Sequence, residues 1–463
     1  MNLPVLVGLV LYGAVLLVLD RKSRTAQLLD YLLAGRRLTL VPFVATLVAT
    51  WYGGVLGVGE FSYRYGLANW MVFGVPYYLA ALLFAFGLAA RVRASAVLSI
   101  PEQLKASYGP TTARVGAVLV LLMATPAAYT LMLGQLLEVY LGVPRHLGVV
   151  GATAFTVFSV MFGGFRTVVR ANLVQFVLMY AAFLLILPTA LAQIGGWAAL
   201  WNALPASHKT LTGGLPLQAI AVWYVIALQT LVEPSFYQRC YAASTPRVAR
   251  VGVLLSVLFW VLFDFLTTFS GLAARVLVPN LADPGLAYPA LGNLLLSPWL
   301  NAVFAVGLFA TVSSTAHSYL FLAASTAGHD LLPPQARGWE RLWVGVCLVM
   351  VGAIASLLAL SLGSVVLIWH HLGSIVTSAL LVPLVLAHGP ARRRYSPRGA
   401  LVAVLGSAAG AAWWILQGGE GGYPLNLEPI FPALAWSLLV WLADRWLPKV
   451  RSGFIPVGGR SQP

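Results

Sequence analysis

The chain has 463 residues, of which 60% are hydrophobic and only 9% are charged, with a mean hydropathy of +0.86. Since a soluble domain carries about 25% charged residues, this composition excludes an ordinary soluble protein and predicts an integral membrane protein. The net charge of +15 comes from basic residues in short loops between apolar runs. That placement is typical of topology signals and lipid contacts, and it argues against nucleic-acid binding.

About thirteen apolar segments are long enough to cross a bilayer, which takes about 20 residues each. We therefore predict an all-α polytopic protein with a single transmembrane domain, 1–446. We expect the first segment to be a retained helix and not a cleaved signal, because basic residues follow it. In chain order the segments are 2–19, 41–66, 70–91, 115–139, 146–162, 170–192, 216–237, 248–275, 299–325, 341–361, 364–387, 399–417 and 427–446.

The basic residues alternate between the loops in a way that predicts the orientation. With the N-terminus outside, most of them fall in inner loops, such as 21–37, 91–114, 392–398 and the loop that begins at Arg239. The outer loops hold few basic residues, as the positive-inside rule requires. We therefore predict a multi-pass protein of the plasma (inner) membrane with a cytoplasmic C-terminus and a disordered tail, 447–463.

Two segments carry features that interrupt a helix. Segment 2 has Gly53-Gly54 near its middle, and glycine allows the backbone to unwind. Segment 7 contains Glu233-Pro234, and proline removes a backbone donor. Interrupted helices at corresponding places in two halves indicate a binding site between inverted repeats. The predicted parts are 1–40 (N-terminal helix and cytoplasmic loop), 41–192 (first repeat), 216–387 (second repeat) and 399–446 (two accessory helices).

Segment 9 is unusually rich in hydroxyl side chains. Within eight residues it carries Thr311, Ser313, Ser314, Thr315 and Ser318. A dehydrated sodium ion is a hard cation that prefers oxygen ligands, so hydroxyls here and free carbonyls in segment 2 predict a sodium site. The alternative interpretation is a hydroxyl-rich seam between two packed helices.

Several motifs of the chain resemble those of the sodium:solute symporter family. They appear in the family's order over roughly residues 30–390. The matching stretches are DYLLAGRRL (30–38), ATWYGG (49–54), SIPEQLKASYG (99–109), GGFRTVVRANLVQ (163–175), EPSFYQRCYAAS (233–244) and FATVSSTAHS (309–318).

The resemblance implies a LeuT-type fold of two inverted five-helix repeats, segments 2–6 and 7–11. It also implies a sodium site between segments 2 and 9. The ligands carried over are the backbone carbonyls of Ala49, Tyr52 and Thr311 and the hydroxyls of Ser314 and Thr315. These are the two segments that the residue patterns themselves single out.

The solute is expected beside this site, between segments 2, 3, 7 and 11. The side chains there are aromatic or neutral-polar, which favours a neutral or anionic solute, although each residue could also serve ordinary packing. The candidate solute-binding residues are Leu56, Tyr77, Tyr78, Gln135, Tyr224, Gln229, Trp369 and His370.

The chain also departs from the family pattern. Asn172 stands where the family usually has an aspartate, and His317 replaces another acidic residue, so we expect one coupling ion and not two. Ionisable residues inside membrane segments are costly and usually functional. Glu60 is expected to pair with Arg64 near the surface, and Asp264 is either a structural partner or part of the site.

We predict a sodium-coupled symporter that imports a small organic solute by alternating access, and not an enzyme. The expected partners are the solute, Na⁺ and membrane lipid. No other cofactor, no transition-metal site and no nucleic acid are expected, and a monomer can suffice. A proton-coupled or uncoupled transporter remains an alternative, with His370 or His371 as a proton acceptor. A transporter-like sensor and a membrane-embedded enzyme are more distant alternatives.

Overall fold

The computed structural model describes residues 2–333, 338–362, 365–418 and 422–446, without the side chains of residues 362 and 365–370. Its described residues are largely helical and contain no strand beyond one isolated bridge, Leu38 to Ala243. We number the membrane helices in chain order. They are α1 (Leu3–Ser23), α2 (Leu40–Tyr65), α3 (Trp70–Ala94), α4 (Pro110–Leu141), α5 (Arg145–Val160), α6 (Phe165–Ile194), α7 (Leu217–Ala242), α8 (Pro246–Leu277), α9 (Pro298–Asp330), α10 (Glu340–Leu362), α11 (Val365–Ala387), α12 (Pro397–Leu416) and α13 (Ile430–Trp446).

The all-α polytopic fold predicted from the sequence is confirmed. Ten helices in the described residues are long and apolar enough to cross a membrane. The helices α5, α11 and α13 are not among the ten, although each coincides with a predicted segment. The exact number of crossings and the division into four parts therefore stay predictions, and the tail 447–463 lies outside the described residues.

Helix α9 is the centre of the bundle. Every residue from Phe304 to Ala324 is buried, although the helix is long enough to cross the whole bilayer. It packs closely on α6, where a Cβ atom added to Gly307 would lie 2.3 Å from the Cβ atom of Ala182. Small residues let helix backbones approach in this way when no hydrophobic effect drives association in lipid. The hydroxyls of α9 are therefore held inside the protein and not at the lipid surface.

Helices α2 and α7 are both interrupted, as the sequence predicts, but the two interruptions differ. Helix α2 is α-helical to Trp51, tightens into a 3₁₀ turn over Tyr52–Gly54 and resumes at Val55. This break is a narrowed turn and not the unwound stretch that we expected, because the two glycines accept the tighter coil without a side-chain clash. Helix α7 leaves helical geometry at Glu233 and restarts at Pro234.

A short helix, Ile100–Tyr108, lies in the loop before α4 and is tied to the C-terminal end of α9. Ser99 caps it and also donates to Asp330 of α9 at 2.6 Å. One turn later the Glu102 carboxylate lies 3.2 Å from Nε2 of His329. These contacts connect the SIPEQLKASYG motif to the central helix of the bundle.

Candidate sodium and solute site

The 3₁₀ turn of α2 leaves backbone carbonyls without intrahelical partners at the candidate sodium site. The last four carbonyls of an α-helix have no intrahelical partner, and the α-helical part of α2 ends at Trp51. Ala49 and Thr50 lie in that last turn and are buried. Their carbonyl oxygens therefore need hydroxyl donors or a cation inside the protein.

Helix α9 brings hydroxyls to these carbonyls. Oγ of Ser314 lies 2.6 Å from the carbonyl oxygen of Ala49 and 2.7 Å from that of Thr311. Oγ1 of Thr315 lies 2.5 Å from the carbonyl oxygen of Thr50. Four of the five predicted sodium ligands thus belong to one buried cluster of oxygens. Tyr52 adjoins the cluster, but its carbonyl accepts the amide of Val55 in the 3₁₀ turn.

Gly53 is required for this close approach of the two helices. A Cβ atom at Gly53 would lie 2.2 Å from Oγ1 of Thr315 and 2.3 Å from its Cβ atom. Any larger residue would push α9 away from the free carbonyls of α2. The donor set fits sodium, because it consists only of uncharged hard oxygens. The carbonyl of Thr50 was not among the predicted ligands, because no local pattern marks it and only its contact with Thr315 in three dimensions singles it out.

A buried cation lies next to this cluster. Nη2 of Arg239 donates to Oγ1 of Thr50 and to Oγ of Ser318, both at 2.8 Å, and to Oγ1 of Thr46 at 3.2 Å. Nδ2 of Asn172 donates to Oγ1 of Thr46 at 2.6 Å. The prediction that Arg239 lies in an inner loop is wrong, because this residue is fully buried in the helix that follows Pro234. The guanidinium of Arg239 thus occupies the space between the hydroxyls of Thr46, Thr50 and Ser318.

His317 lies on the far side of α9 from the 3₁₀ turn. Its Nδ1 atom lies 3.4 Å from Nε2 of Gln175 on α6, and Gln175 also donates to the hydroxyl of Tyr12 at 2.7 Å. Tyr12 lies 2.6 Å from Oγ of Ser313. These contacts join α1, α6 and α9, so His317 belongs to the hydrogen-bonded packing between helices.

A cavity of about 170 Å³ lies beside the 3₁₀ turn. Its wall combines residues of α2, α3, α4, α7, α8, α9 and α11. Aromatic side chains dominate it, and the Gln229 amide donates to the Tyr77 hydroxyl at 3.1 Å across the wall. The residues of the wall are Trp51, Tyr52, Gly54, Gly57, Val58, Phe73, Tyr77, Met123, Thr125, Tyr129, Trp223, Ile226, Gln229, Glu233, Asp264, Tyr319, Leu372 and Gly373.

The structure brings only part of the predicted solute-binding set into this wall. Tyr77 and Gln229 line it, whereas Leu56, Tyr78, Gln135 and Tyr224 do not. The reason is helical phase: Trp223, one residue before Tyr224, faces the cavity, and Tyr78 instead donates to Asp264. The side chains of Trp369 and His370 lie outside the described residues.

Two acidic residues of the wall were not among the predicted solute-binding residues. Oε1 of Glu233 accepts the hydroxyl of Tyr319 at 2.9 Å and the amide of Ser235 at 3.3 Å. Asp264 accepts the hydroxyl of Tyr78. Both acids interrupt apolar segments, so the signal was present in the sequence. Which face of each helix they occupy was decided by packing.

Glu60 behaves as predicted. Its Oε1 atom lies 3.0 Å from Nε of Arg64, one turn later on α2, and both side chains are partly exposed. An exposed pair of this kind stabilises the protein by about 0.3–0.5 kcal/mol and does not indicate a site.

Comparisons with known proteins define the class to which this fold and site belong. The model of the "Sodium:solute symporter family" matches residues 31–406. Because this match covers more than half of the chain, the chain belongs to the sodium:solute symporter family. Members of this family are transporters and not enzymes, and they couple solute movement to Na⁺.

The chain aligns with individual relatives over nearly all of its own length. The chain is 26% identical to the osmoregulated proline transporter OpuE of Bacillus subtilis (strain 168), over 90% of each chain. It is 25% identical to the sodium/pantothenate symporter of Escherichia coli (strain K12), over 96% of each. It is 23% identical to the high-affinity choline transporter 1 of Caenorhabditis elegans, over 92% of this chain and 79% of the relative.

Solved structures show the same fold. A Na⁺-coupled sialic acid symporter in a substrate-bound outward-open state superimposes with a TM-score of 0.78 at 16% identity, covering 96% of this chain and 97% of the other. A nucleobase-cation-symport-1 family transporter in a closed conformation gives a TM-score of 0.61 at 14% identity, covering 88% and 92%. The chain therefore has the LeuT-type fold that its sequence motifs imply.

Proposed function

We propose that this protein imports a small organic solute together with sodium, by alternating access of the cavity beside the 3₁₀ turn of α2. The observation that carries the proposal is the pairing of Ser314 with Ala49 and of Thr315 with Thr50 across the interface of α2 and α9. Buried carbonyls at a helix break, faced by two hydroxyls, supply a sodium ion with oxygens in place of its water.

We further propose that the ligands are the carbonyls of Ala49, Tyr52 and Thr311 and the hydroxyls of Ser314 and Thr315. The hydroxyl protons now point at carbonyls, and they would rotate away when a cation takes their place. The same oxygens then attract one ion instead of one another. A bound sodium ion would hold α2 against α9 and so favour one of the alternating conformations.

Coupling follows from the position of the turn. Trp51 and Tyr52 line the solute cavity, while Ala49 and Thr50 on the preceding turn contribute carbonyls to the oxygen cluster. A change in how α2 meets α9 therefore changes the cavity wall directly. By linkage, sodium must tighten solute binding by the same factor by which solute tightens sodium binding.

The test compares three single variants in purified protein and in proteoliposomes. Ser314→Ala and Thr315→Ala each remove one hydroxyl ligand, and we expect sodium affinity to fall about tenfold or more, as for loss of a hydrogen-bonding group to a charge. Ser313→Ala is the matched control, because its hydroxyl bonds to Tyr12 and faces away from the cluster. Sodium affinity is read from sodium-dependent thermal stabilisation in NaCl against KCl.

Sodium affinities that are equal in all three variants would refute the assigned site. Uptake that follows a pH gradient at constant sodium would instead support the proton-coupled alternative. Uptake unaffected by either gradient would support an uncoupled transporter. All uptake measurements use the same proteoliposomes, so one experiment distinguishes sodium-coupled, proton-coupled and uncoupled transport.

A further inference from the structure

The solute cavity is acidic as well as aromatic. Among the described residues of its wall, the charged side chains are Glu233 and Asp264, and no lysine, arginine or histidine lines it. Both carboxylates are nearly inaccessible, with residue exposures of 4% and 2%. Neither has an ion-pair partner within 4 Å in the described part of the chain.

The two carboxylates make different local contacts. Glu233 caps the helix that starts at Pro234, and the charge of the neighbouring Arg239 acts on it. Asp264 caps nothing, since it lies in the middle of α8, and it accepts the hydroxyl of Tyr78, whereas the hydroxyl of Tyr52 donates to the carbonyl of Trp260. Glu233 therefore has a helix-capping role, whereas Asp264 has one phenol donor and no counter-charge among the described residues.

An isolated carboxylate inside a membrane protein is expensive, because burial removes its water and no neighbouring cation replaces it. Such groups usually face a pathway and find their partner there. The rest of the wall is suited to a positive charge, since Trp51, Trp223 and Tyr77 present aromatic rings to the same space. Aromatic faces attract ammonium groups, most strongly when water is excluded.

Resting on the proposed transport function, we infer that the solute is an organic cation: a small apolar body with an ammonium nitrogen, and Asp264 is its counter-ion. The phenol of Tyr78 holds the carboxylate in place for this role. The sequence analysis favoured a neutral or anionic solute because it considered the aromatic and amide side chains without the two acids. An anion in this cavity would meet two carboxylates and no basic side chain of the described wall.

The test uses matched pairs of probes that differ in charge and not in shape. Choline, isobutylammonium and pyrrolidinium are the cations, and 3,3-dimethylbutan-1-ol, isobutanol and tetrahydrofuran are their neutral counterparts. The anion 3,3-dimethylbutanoate completes the set. Binding to the purified full-length protein is measured by thermal shift at neutral pH, in NaCl and in KCl. We expect at least one cation to bind about tenfold or more tightly than its neutral counterpart.

Variants then assign the charge to Asp264. Asp264→Asn is expected to weaken binding of the cation about tenfold or more and to leave the neutral counterpart unchanged, because only the ammonium loses its partner. Asp264→Glu keeps the charge and should retain part of the preference. Glu138→Gln is the matched control, since this acid lies in an exposed pair with Arg145 away from the cavity. An intact sodium-dependent shift in Asp264→Asn reports that the variant is folded.

The inference is overturned if neutral or anionic probes bind as well as the cations, if no cation binds while sodium still stabilises the protein, or if Asp264→Asn keeps full affinity for the cation. Failure of the proposed function looks different. In that case the cations still bind selectively and depend on Asp264, but their affinity is the same in NaCl and in KCl.

Discussion

Replacing Gly53 by alanine is the most direct test of the helix contact on which the proposed sodium site depends. The added methyl group would lie 2.3 Å from Cβ of Thr315, whereas carbon atoms pack at about 3.5–4.0 Å. Helices α2 and α9 must therefore separate by about 1 Å or rotate. Overpacking of this kind costs about 1–3 kcal/mol.

The same displacement acts on the oxygen cluster. Oγ of Ser314 and the carbonyl oxygen of Ala49 are now 2.6 Å apart, and an extra separation of about 1 Å takes them beyond hydrogen-bond distance. We expect Gly53→Ala to weaken sodium binding at least about tenfold, which corresponds to about 1.4 kcal/mol. This loss of sodium affinity is larger than the loss expected from a methyl group added away from the site, because the separation of the helices moves several of the oxygens at once.

The assay is the midpoint of the sodium-dependent rise in melting temperature, with ²²Na⁺ binding as the independent measurement. Gly151→Ala is the matched control, since no atom outside its own helix lies within 4 Å of a Cβ atom at that position. It should leave sodium binding unchanged and stabilise the helix slightly. If Gly53→Ala binds sodium within about twofold of the unmodified protein, the contact between Gly53 and Thr315 does not control the site.

Two further predictions concern charged residues outside the sodium ligands. Arg239→Gln removes the hydrogen bonds that a buried guanidinium donates to three hydroxyls and should lower the free energy of unfolding by about 2 kcal/mol, whereas the exposed Arg247→Gln should change it little. Equal melting temperatures of these two variants would contradict the buried role. Glu102 is partly buried, which opposes ionisation, but hydrogen bonds from His329 and a backbone amide outweigh this and lower its pKa. A lowered pKa in the folded state stabilises the protein at neutral pH and loses this effect as the pH falls through that pKa. Glu102→Gln should thus cost about 0.5 kcal/mol near pH 6, where His329 also carries charge, and progressively less as the pH falls below the ordinary carboxylate pKa of 4.5 in thermal unfolding curves. A difference that grows as the pH falls below 4.5 would show that the sign of the pKa shift is wrong.

Much of the architecture was readable from local patterns. Apolar runs of membrane length identified the ten helices that are long and apolar enough to cross a membrane in the described residues, because a bilayer imposes one dominant requirement on every crossing segment. Gly53-Gly54 and Pro234 marked two interruptions, since these residues change what the backbone can do regardless of their neighbours. The hydroxyls of α9 were conspicuous for the same reason.

The residues that line the cavity could not be predicted from such local sequence patterns. Trp223 and Tyr224 are adjacent and chemically alike, yet only Trp223 lines the cavity. Tyr78 was assigned to the solute but contacts Asp264, and Arg239 was assigned to a loop but is buried. For Trp223, Tyr224 and Tyr78 the outcome depends on a helical rotation of about 100° per residue, which the apolar composition of both helix faces conceals. For Arg239 it depends on the continuation of α7 to Ala242 after Pro234.

The sequence by itself determined that this protein is a polytopic helical transporter of the sodium:solute symporter family, because hydrophobic length, helix-breaking residues and motif order are local properties of the chain. Only the tertiary structure decided that Thr315 meets Thr50 through the space left by Gly53, and that Asp264 lines the cavity beside the 3₁₀ turn. These facts join residues more than 200 positions apart or depend on the rotation of one helix against another. Packing selects such pairings, since each is favourable only when both helices already lie side by side.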